Sequence, residues 1–447
     1  MQKQVKQLFF LFSWLYSIVS FAQTAKTDTL RLSLQEATDL ALQNSLAVMN
    51  SKLDITNARH VNKQYRAAGL PQVNASIGYQ RFLALPKSLV PAEFFGGPPG
   101  TFAELEFGTK NNIPVGLDVS QLIFSGQYFV ALEATQKLVE QSEMEVKINE
   151  QQVKNTVRDL YHGIVVIDEN KRNLQDNIKL LQQTLYETDA LNKAGFVELL
   201  DVERLQLSIL NLNSTQDILD KQKENLLLAM KMLIGLDFNQ PIALKEQLSD
   251  FIDANTTLDF DDLSPTRRLE LKRLNIAEQL NELDIRQIKQ QYYPTAAAFL
   301  SYKNTFQSNK LNIFDGQSWL SQALVGVSVN IPIFDGFSKK YQLQQRYITR
   351  QKLKNTQSIL NRSLYLEIEQ AQLAYKNATQ QLQMQQKTTD MAKKIYKTVE
   401  TKYKAGIGSS FELIEAQKEI YQNQSLYLSA LYNLLVAKTN LAKALGQ

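Results

Sequence analysis

The sequence predicts a mainly α-helical protein with a small β-barrel part, in which long antiparallel coiled-coil helices carry four transmembrane β-strands per chain. Three observations predict it. Stretches of 68 and 69 residues, between Gly126 and Gly195 and between Gly336 and Gly406, contain no proline. Short segments ahead of each stretch alternate apolar and polar residues with period 2. Both features occur twice in the same order, behind an apolar N-terminus.

That N-terminus comes first. Lys3 and Lys6 precede an apolar run from Leu8 to Ala22, and the small residues Ser20 and Ala22 stand at the −3 and −1 positions for cleavage before Gln23. The pattern is that of a secretory signal peptide over residues 1–22. Its ~15 apolar residues fall short of the ~20 that span a bilayer as a helix. No other segment has the length and apolarity of such a helix, so any further membrane insertion has to use strands.

Composition narrows the function classes. The 447 residues carry a net charge of +4, of which Lys3 and Lys6 contribute two, and no basic block marks a nucleic-acid partner. The absence of cysteine excludes disulfides, thiolate metal sites and a cysteine nucleophile. Only 17 glycines and 10 prolines interrupt the chain, a composition suited to extended, well-solvated helices.

The duplication rests on three anchors in the same order. The segment from Pro71 to Tyr79 matches that from Pro294 to Tyr302. Val115-Gly116-Leu117 leading to Ile123-Phe124-Ser125-Gly126 matches Val325-Gly326-Val327 leading to Ile333-Phe334-Asp335-Gly336. Lys193-Ala194-Gly195 matches Lys404-Ala405-Gly406, and from there Gly195 to Gly235 aligns without a gap on Gly406 to Gly446. The expected organisation is therefore a first repeat over 23–235 with a strand hairpin at 73–123, a linker over 236–265, and a second repeat over 266–447 with a hairpin at 295–333. Asp253, Asp259, Asp261 and Asp262 make the linker acidic.

Within the first long stretch Val153, Val157, Leu160, Ile164 and Ile167 step by four and three. After a break at Lys171 the seam resumes with Leu174, Ile178, Leu181 and Leu185. A helix of this length measures roughly 100 Å. Beyond Gly195, Val202, Leu205, Ile209 and Leu212 start a returning seam, which predicts an antiparallel helical hairpin.

The strands follow from alternation. Val73, Ala75, Ile77 and Tyr79 are separated by Asn74, Ser76 and Gly78; Val115, Leu117 and Val119 by Gly116 and Asp118; Val325, Val327, Val329 and Ile331 by Gly326, Ser328 and Asn330. One apolar face and one small, polar face suit a barrel with lipid outside and water inside, although a hairpin packed on a soluble domain alternates in the same way. Four strands are too few to close a barrel, so closure requires several chains. The connection from Phe82 to Asn112 should be an external loop whose Phe94 and Phe95 either line the mouth or pack on one another.

No catalytic constellation emerges. His60 and His162 are the only histidines, each in a helical stretch, and read as solvated or packing residues. No zinc-protease, nucleophile-elbow, phosphate-loop or dinucleotide motif occurs in its required context. The reading is of a non-enzyme without cofactor or metal.

With these residues in view, the chain resembles the TolC-type outer-membrane efflux family over nearly all of its mature length. The Ile333–Gly336 anchor, the strand after Pro71, the Ala41-Leu42-Gln43-Asn44 opening and the Lys-Ala-Gly turns are similar to that family's repeated pattern. The resemblance implies a homotrimer whose twelve strands form one barrel in outer-membrane lipid, continuous with a twelve-helix periplasmic tunnel. It implies the passive duct of a tripartite efflux or type I export system, with a periplasmic adaptor (membrane fusion) protein and an inner-membrane RND or ABC transporter as partners. The helix turns, Lys193-Ala194-Gly195 and Lys404-Ala405-Gly406, would touch the adaptor. Counting from the turn glycines, Tyr403 falls where the family has a gate tyrosine, Asp201 where it has that tyrosine's carboxylate partner, and Glu412 and Glu415 where paired acids narrow the bore. Gly408 stands where an arginine of the lock is expected, and Arg204 puts a base at the position equivalent to Glu415, so the lock is differently wired or Glu412 and Glu415 are ordinary solvated positions. Two further readings remain open on the residues alone. A secreted coiled-coil structural or adhesive protein would be soluble without detergent, and a pump adaptor would carry one hairpin rather than two.

Overall fold

The computed structural model describes residues 29–253, 265–314 and 316–446. The apolar segment read as a signal peptide and the aspartates 259, 261 and 262 lie outside them. In chain order the elements are β1 (Leu30–Leu32), α1 (Leu34–Asn44), α2 (Leu46–Ala67), β2 (Gln72–Ile77), β3 (Gln80–Arg81), β4 (Lys87–Pro91), β5 (Phe102–Glu106), β6 (Asn111–Phe124), α3 (Gly126–Lys193), α4 (Leu199–Ile234), β7 (Ile242–Leu244), α5 (Leu248–Asp253), α6 (Leu269–Gln290), β8 (Thr295–Ser308), β9 (Trp319–Asn330), α7 (Ser338–Lys404) and α8 (Ser410–Leu445). The proline-free stretches form unbroken helices of 68 and 67 residues. Among the described residues no helix is long and apolar enough to cross a membrane.

Two compact units result, and each draws on both halves of the duplication. One takes the residues up to Met49, Ile148–Arg267 and Leu364 onward; the other takes Asn50–Lys147 and Arg268–Ser363.

In the first unit the heptad seam is buried. Val153, Val157 and Ile164 join Met230, Ile234, Leu428, Leu431 and Leu435 in one core. Further along, Leu174 and Ile178 meet Leu219, and Leu181 meets Leu205 and Ile209 of the returning helix. The break at Lys171 has a simple cause: its ammonium pairs with Asp220 of α4, so a cation occupies the position where a seam residue would sit.

The stretch joining the halves does more than connect them. It contributes β7, which pairs in parallel with β1, and α5, whose Leu248 is 5 % exposed. The Tyr161 hydroxyl locks this addition to α3: it lies 3.0 Å from the Leu32 carbonyl and within bonding reach of the Glu246 carboxylate. The Ala-Leu-Gln-Asn opening also finds its reason here. Asn44 donates to the Ile234 carbonyl at 2.9 Å, capping α4. Gly235 then turns the chain at φ +70, where a Cβ would come within 2.8 Å of Asn44 Cβ.

His162 is a packing residue, 5 % exposed and edge-on to Phe251 at 4.9 Å. Burial, aided by Arg158 and Lys438, pushes its pKa from 6.5 down to about 4. The unfolded chain therefore takes up a proton first as pH falls, and the folded state loses at most about 3 kcal/mol between pH 6.5 and 4. We expect the purified protein to melt progressively lower from pH 7 to pH 5, and His162→Leu to flatten that dependence. Equal slopes for the two proteins in a calorimetric pH series would refute this.

The second unit holds the sheet, ordered β2–β6–β8–β9 and antiparallel throughout. The Phe82–Asn112 connection is not featureless: it folds into a hairpin of β4 and β5, with Lys87 and Glu104 paired at 3.1 Å. Phe94 and Phe95, 78 % and 63 % exposed, are not packed into a core of this chain.

Candidate functional site

Strand register decides what the sheet can do. Val73 lies opposite Val119, Val119 opposite Leu300 and Leu300 opposite Val325; Ala75, Leu117, Tyr302 and Ala323 form the next row. Directly paired residues share a face, so these two rows form an apolar band across all four strands, flanked on the same face by Gln121 at one end and by Asn304 and Ser321 at the other. It is uncovered in the single chain: Val73, Leu117, Val325 and Val327 are 62 %, 44 %, 77 % and 63 % exposed. The opposite face carries the rows Asn74–Asp118–Ser301–Leu324 and Ser76–Gly116–Lys303–Gln322, mostly small or polar, with the Ser301 hydroxyl donating to Asp118 at 2.5 Å. A contiguous apolar face of this size belongs against lipid or another protein. Strands β2 and β9 leave the two edges of the sheet unpaired within the chain.

The helix turns form the second candidate site. Each long helix ends in a left-handed glycine, Gly195 at φ +81 and Gly406 at φ +74. The lysine ahead of each is paired one turn back, Lys193 to Asp189 at 2.6 Å and Lys404 to Glu400 at 2.8 Å, while Ala194, Gly195, Ala405 and Gly406 are exposed. Gly408 has a steric explanation: a Cβ there would lie 2.9 Å from the Tyr403 backbone nitrogen. No arginine fits that position while the turn keeps this shape.

Within one chain Tyr403 and Asp201 are not bonded to one another. The Tyr403 hydroxyl is 2.5 Å from the hydroxyl of Thr188 on α3, which is fully buried. Asp201 on α4 accepts from the Ser410 hydroxyl at the start of α8. Both links tie the second helical hairpin to the first. The Arg204 guanidinium makes a third, lying 5.5 Å above the Phe411 ring. Glu412 is exposed and its N–H donates to Ser409 at 3.1 Å, so it is also the third residue of a capped helix. Glu415 is exposed and 3.8 Å from Lys418. No hydrogen bond or ion pair among the described residues joins either glutamate to Tyr403 or Asp201. Thr188 and Ser410 were the partners hidden from sequence reading, because a serine or threonine inside a helical stretch carries no signature of its own.

The sequence matches the family described as outer membrane efflux protein over residues 37–235 and 265–447. The chain belongs to the outer membrane efflux protein family. Its place is accordingly the outer membrane, with the helical part in the periplasm. The probable efflux pump outer membrane protein TtgC of Pseudomonas putida is 21 % identical over 283 residues, which cover 61 % of this chain and 56 % of TtgC. The probable efflux pump outer membrane protein SepC, also of Pseudomonas putida, is 23 % identical over 428 residues, covering 92 % of this chain and 83 % of SepC. A crystal structure of CusC, described with its folding and transmembrane channel formation, superposes with a TM-score of 0.74 at 16 % identity, over 96 % of this chain and 95 % of that one. The efflux-protein fold of long helices and a small β part is thus shared across nearly the whole chain.

Proposed function

We propose that this outer membrane efflux protein is a passive duct, closed as a homotrimer and fed by an inner-membrane RND or ABC transporter through a periplasmic adaptor. The observation that carries the reading is the run β2–β6–β8–β9, open at both edges, with one uncovered apolar band aligned across all four of these strands. Edge pairing of β9 with β2 of the next copy satisfies the free backbone groups, and the apolar face meets lipid. A non-catalytic role fits both family and fold.

In this reading the turns Lys193-Ala194-Gly195 and Lys404-Ala405-Gly406 face the adaptor. Tyr403 and Asp201 hold the tip through Thr188 and Ser410, and Glu412 and Glu415 line the constriction. The mature protein should leave the membrane in detergent as a trimer, as measured by light scattering with detergent correction. A monodisperse monomer that conducts ions in planar bilayers would falsify the proposal.

A further inference from the structure

The two strand-to-helix junctions are not equivalent. Aligned on Gly126 and Gly336, the first half continues Gln127-Tyr128-Phe129-Val130 where the second has Phe337-Ser338-Lys339-Lys340. The first junction enters its helix at Gly126 itself. The second makes two successive left-handed residues, Gly336 and Phe337, both at φ +66, and Phe337 is the one non-glycine residue with positive φ among those described. A side chain in that region costs on the order of 1–2 kcal/mol, which glycine would avoid.

What the strained residue achieves is a placement. Its ring meets Phe334 edge-on at 5.4 Å and lies 5.7 Å below the Lys340 ammonium. Lys339 is held over the Tyr292 ring at 5.1 Å and lies 3.6 Å from Asp335, whose carboxylate also accepts from the Lys339 N–H. Asp335 thus already serves the start of α7 and one of the two lysines. Lys340 is exposed and has no acidic partner among the described residues. Ile333, Phe334, Phe337 and Tyr341 of the junction, and Tyr292 and Tyr293 ahead of β8, are all about half exposed or more, Ile333 at 94 %. This patch continues the apolar face of β9, because the alternation Val327, Val329, Ile331 runs on into Ile333.

An apolar face that ends in aromatic rings, with an unpaired cation at the same level, matches the layering of a membrane boundary. We infer that the second strand-to-helix junction binds an anionic phospholipid of the inner leaflet, its acyl chains on Ile333 and Phe334 and its phosphate on Lys340. The equivalent position in the first half is Val130, 2 % exposed and without charge, so each chain carries one such site and not two. The inference rests on the barrel reading.

The test is native mass spectrometry of the detergent-purified mature protein, incubated with equal amounts of phosphatidylglycerol and phosphatidylcholine. Wild type should retain phosphatidylglycerol in preference. Lys340→Gln should cut that preference about fivefold, the weight of one basic residue near an anionic surface. Phe337→Gly, which relaxes the backbone and so should not impair folding, should cut it as well. Equal retention of the two lipids by wild type, or a preference that survives both substitutions, overturns the site. Retention of neither lipid overturns the barrel reading beneath it.

Discussion

Arginine at Leu117 or Val327 should destabilise the inserted protein by about 2–4 kcal/mol where the position lies near the bilayer midplane. Leu117 sits between Ala75 and Tyr302 in the sheet, and Val327 lies opposite Ala298, so both belong to the apolar face. Neither side chain is buried within its own chain, and a soluble protein would tolerate arginine at such exposed positions with little loss. The cost arises only if lipid covers the face. Arginine at Ser120 or Ser328, on the opposite face, should cost far less. Urea titration of protein reconstituted in lipid vesicles measures the difference. Cysteine labelling that finds Ser120 and Ser328 in lipid, with Leu117 and Val327 in water, would reverse the register and sink the barrel.

The second large effect concerns the tip. Tyr403→Phe removes the hydroxyl that meets Thr188, and Asp201→Ala removes the acceptor of Ser410. Each substitution leaves a buried partner unsatisfied, at about 1–3 kcal/mol. Thr188 is fully buried and Ser410 is 4 % exposed. The helices should persist, since the seam residues are untouched. The double variant should loosen the second hairpin from the first and raise single-channel conductance severalfold in planar bilayers. Glu412→Gln with Glu415→Gln should leave conductance nearer wild type, yet lower cation selectivity and weaken block by divalent cations from the periplasmic side. If both pairs of substitutions leave conductance, selectivity and block unchanged, these four residues are ordinary helix positions.

Much of the fold was legible because its signals are local. The absence of proline between Gly126 and Gly195 marks a helix that runs from Gly126 to Lys193, and simple alternation marks β2, β6 and β9. The β1–β7 pair was not legible: strands of three residues in parallel, from the far ends of a repeat, leave neither a turn nor a period to read. The β4–β5 hairpin was hidden by the prolines and glycines around it. At the tip, the left-handed turn glycines announce themselves, whereas the links that join the hairpins do not. Tyr403 and Asp201 were singled out by position alone, and their partners within the chain, Thr188 and Ser410, depend on how two hairpins pack. Gly408 shows the same limit from the other side. Its departure from the family pattern was visible in sequence, and its cause, the closeness of the Tyr403 backbone, was not.

The pairing of β6 with β8 joins the two halves of the duplication by backbone hydrogen bonds in the middle of the sheet. In a ring built from single repeats, that contact would lie between separate molecules, as the β9 to β2 contact would between copies in the proposed trimer. Bringing two molecules together costs translational and rotational freedom, on the order of 4–15 kcal/mol. Covalent fusion removes that cost at every second seam of the ring. A chain of this design assembles from half as many encounters, and its internal seam stays closed at any dilution at which the fold itself survives.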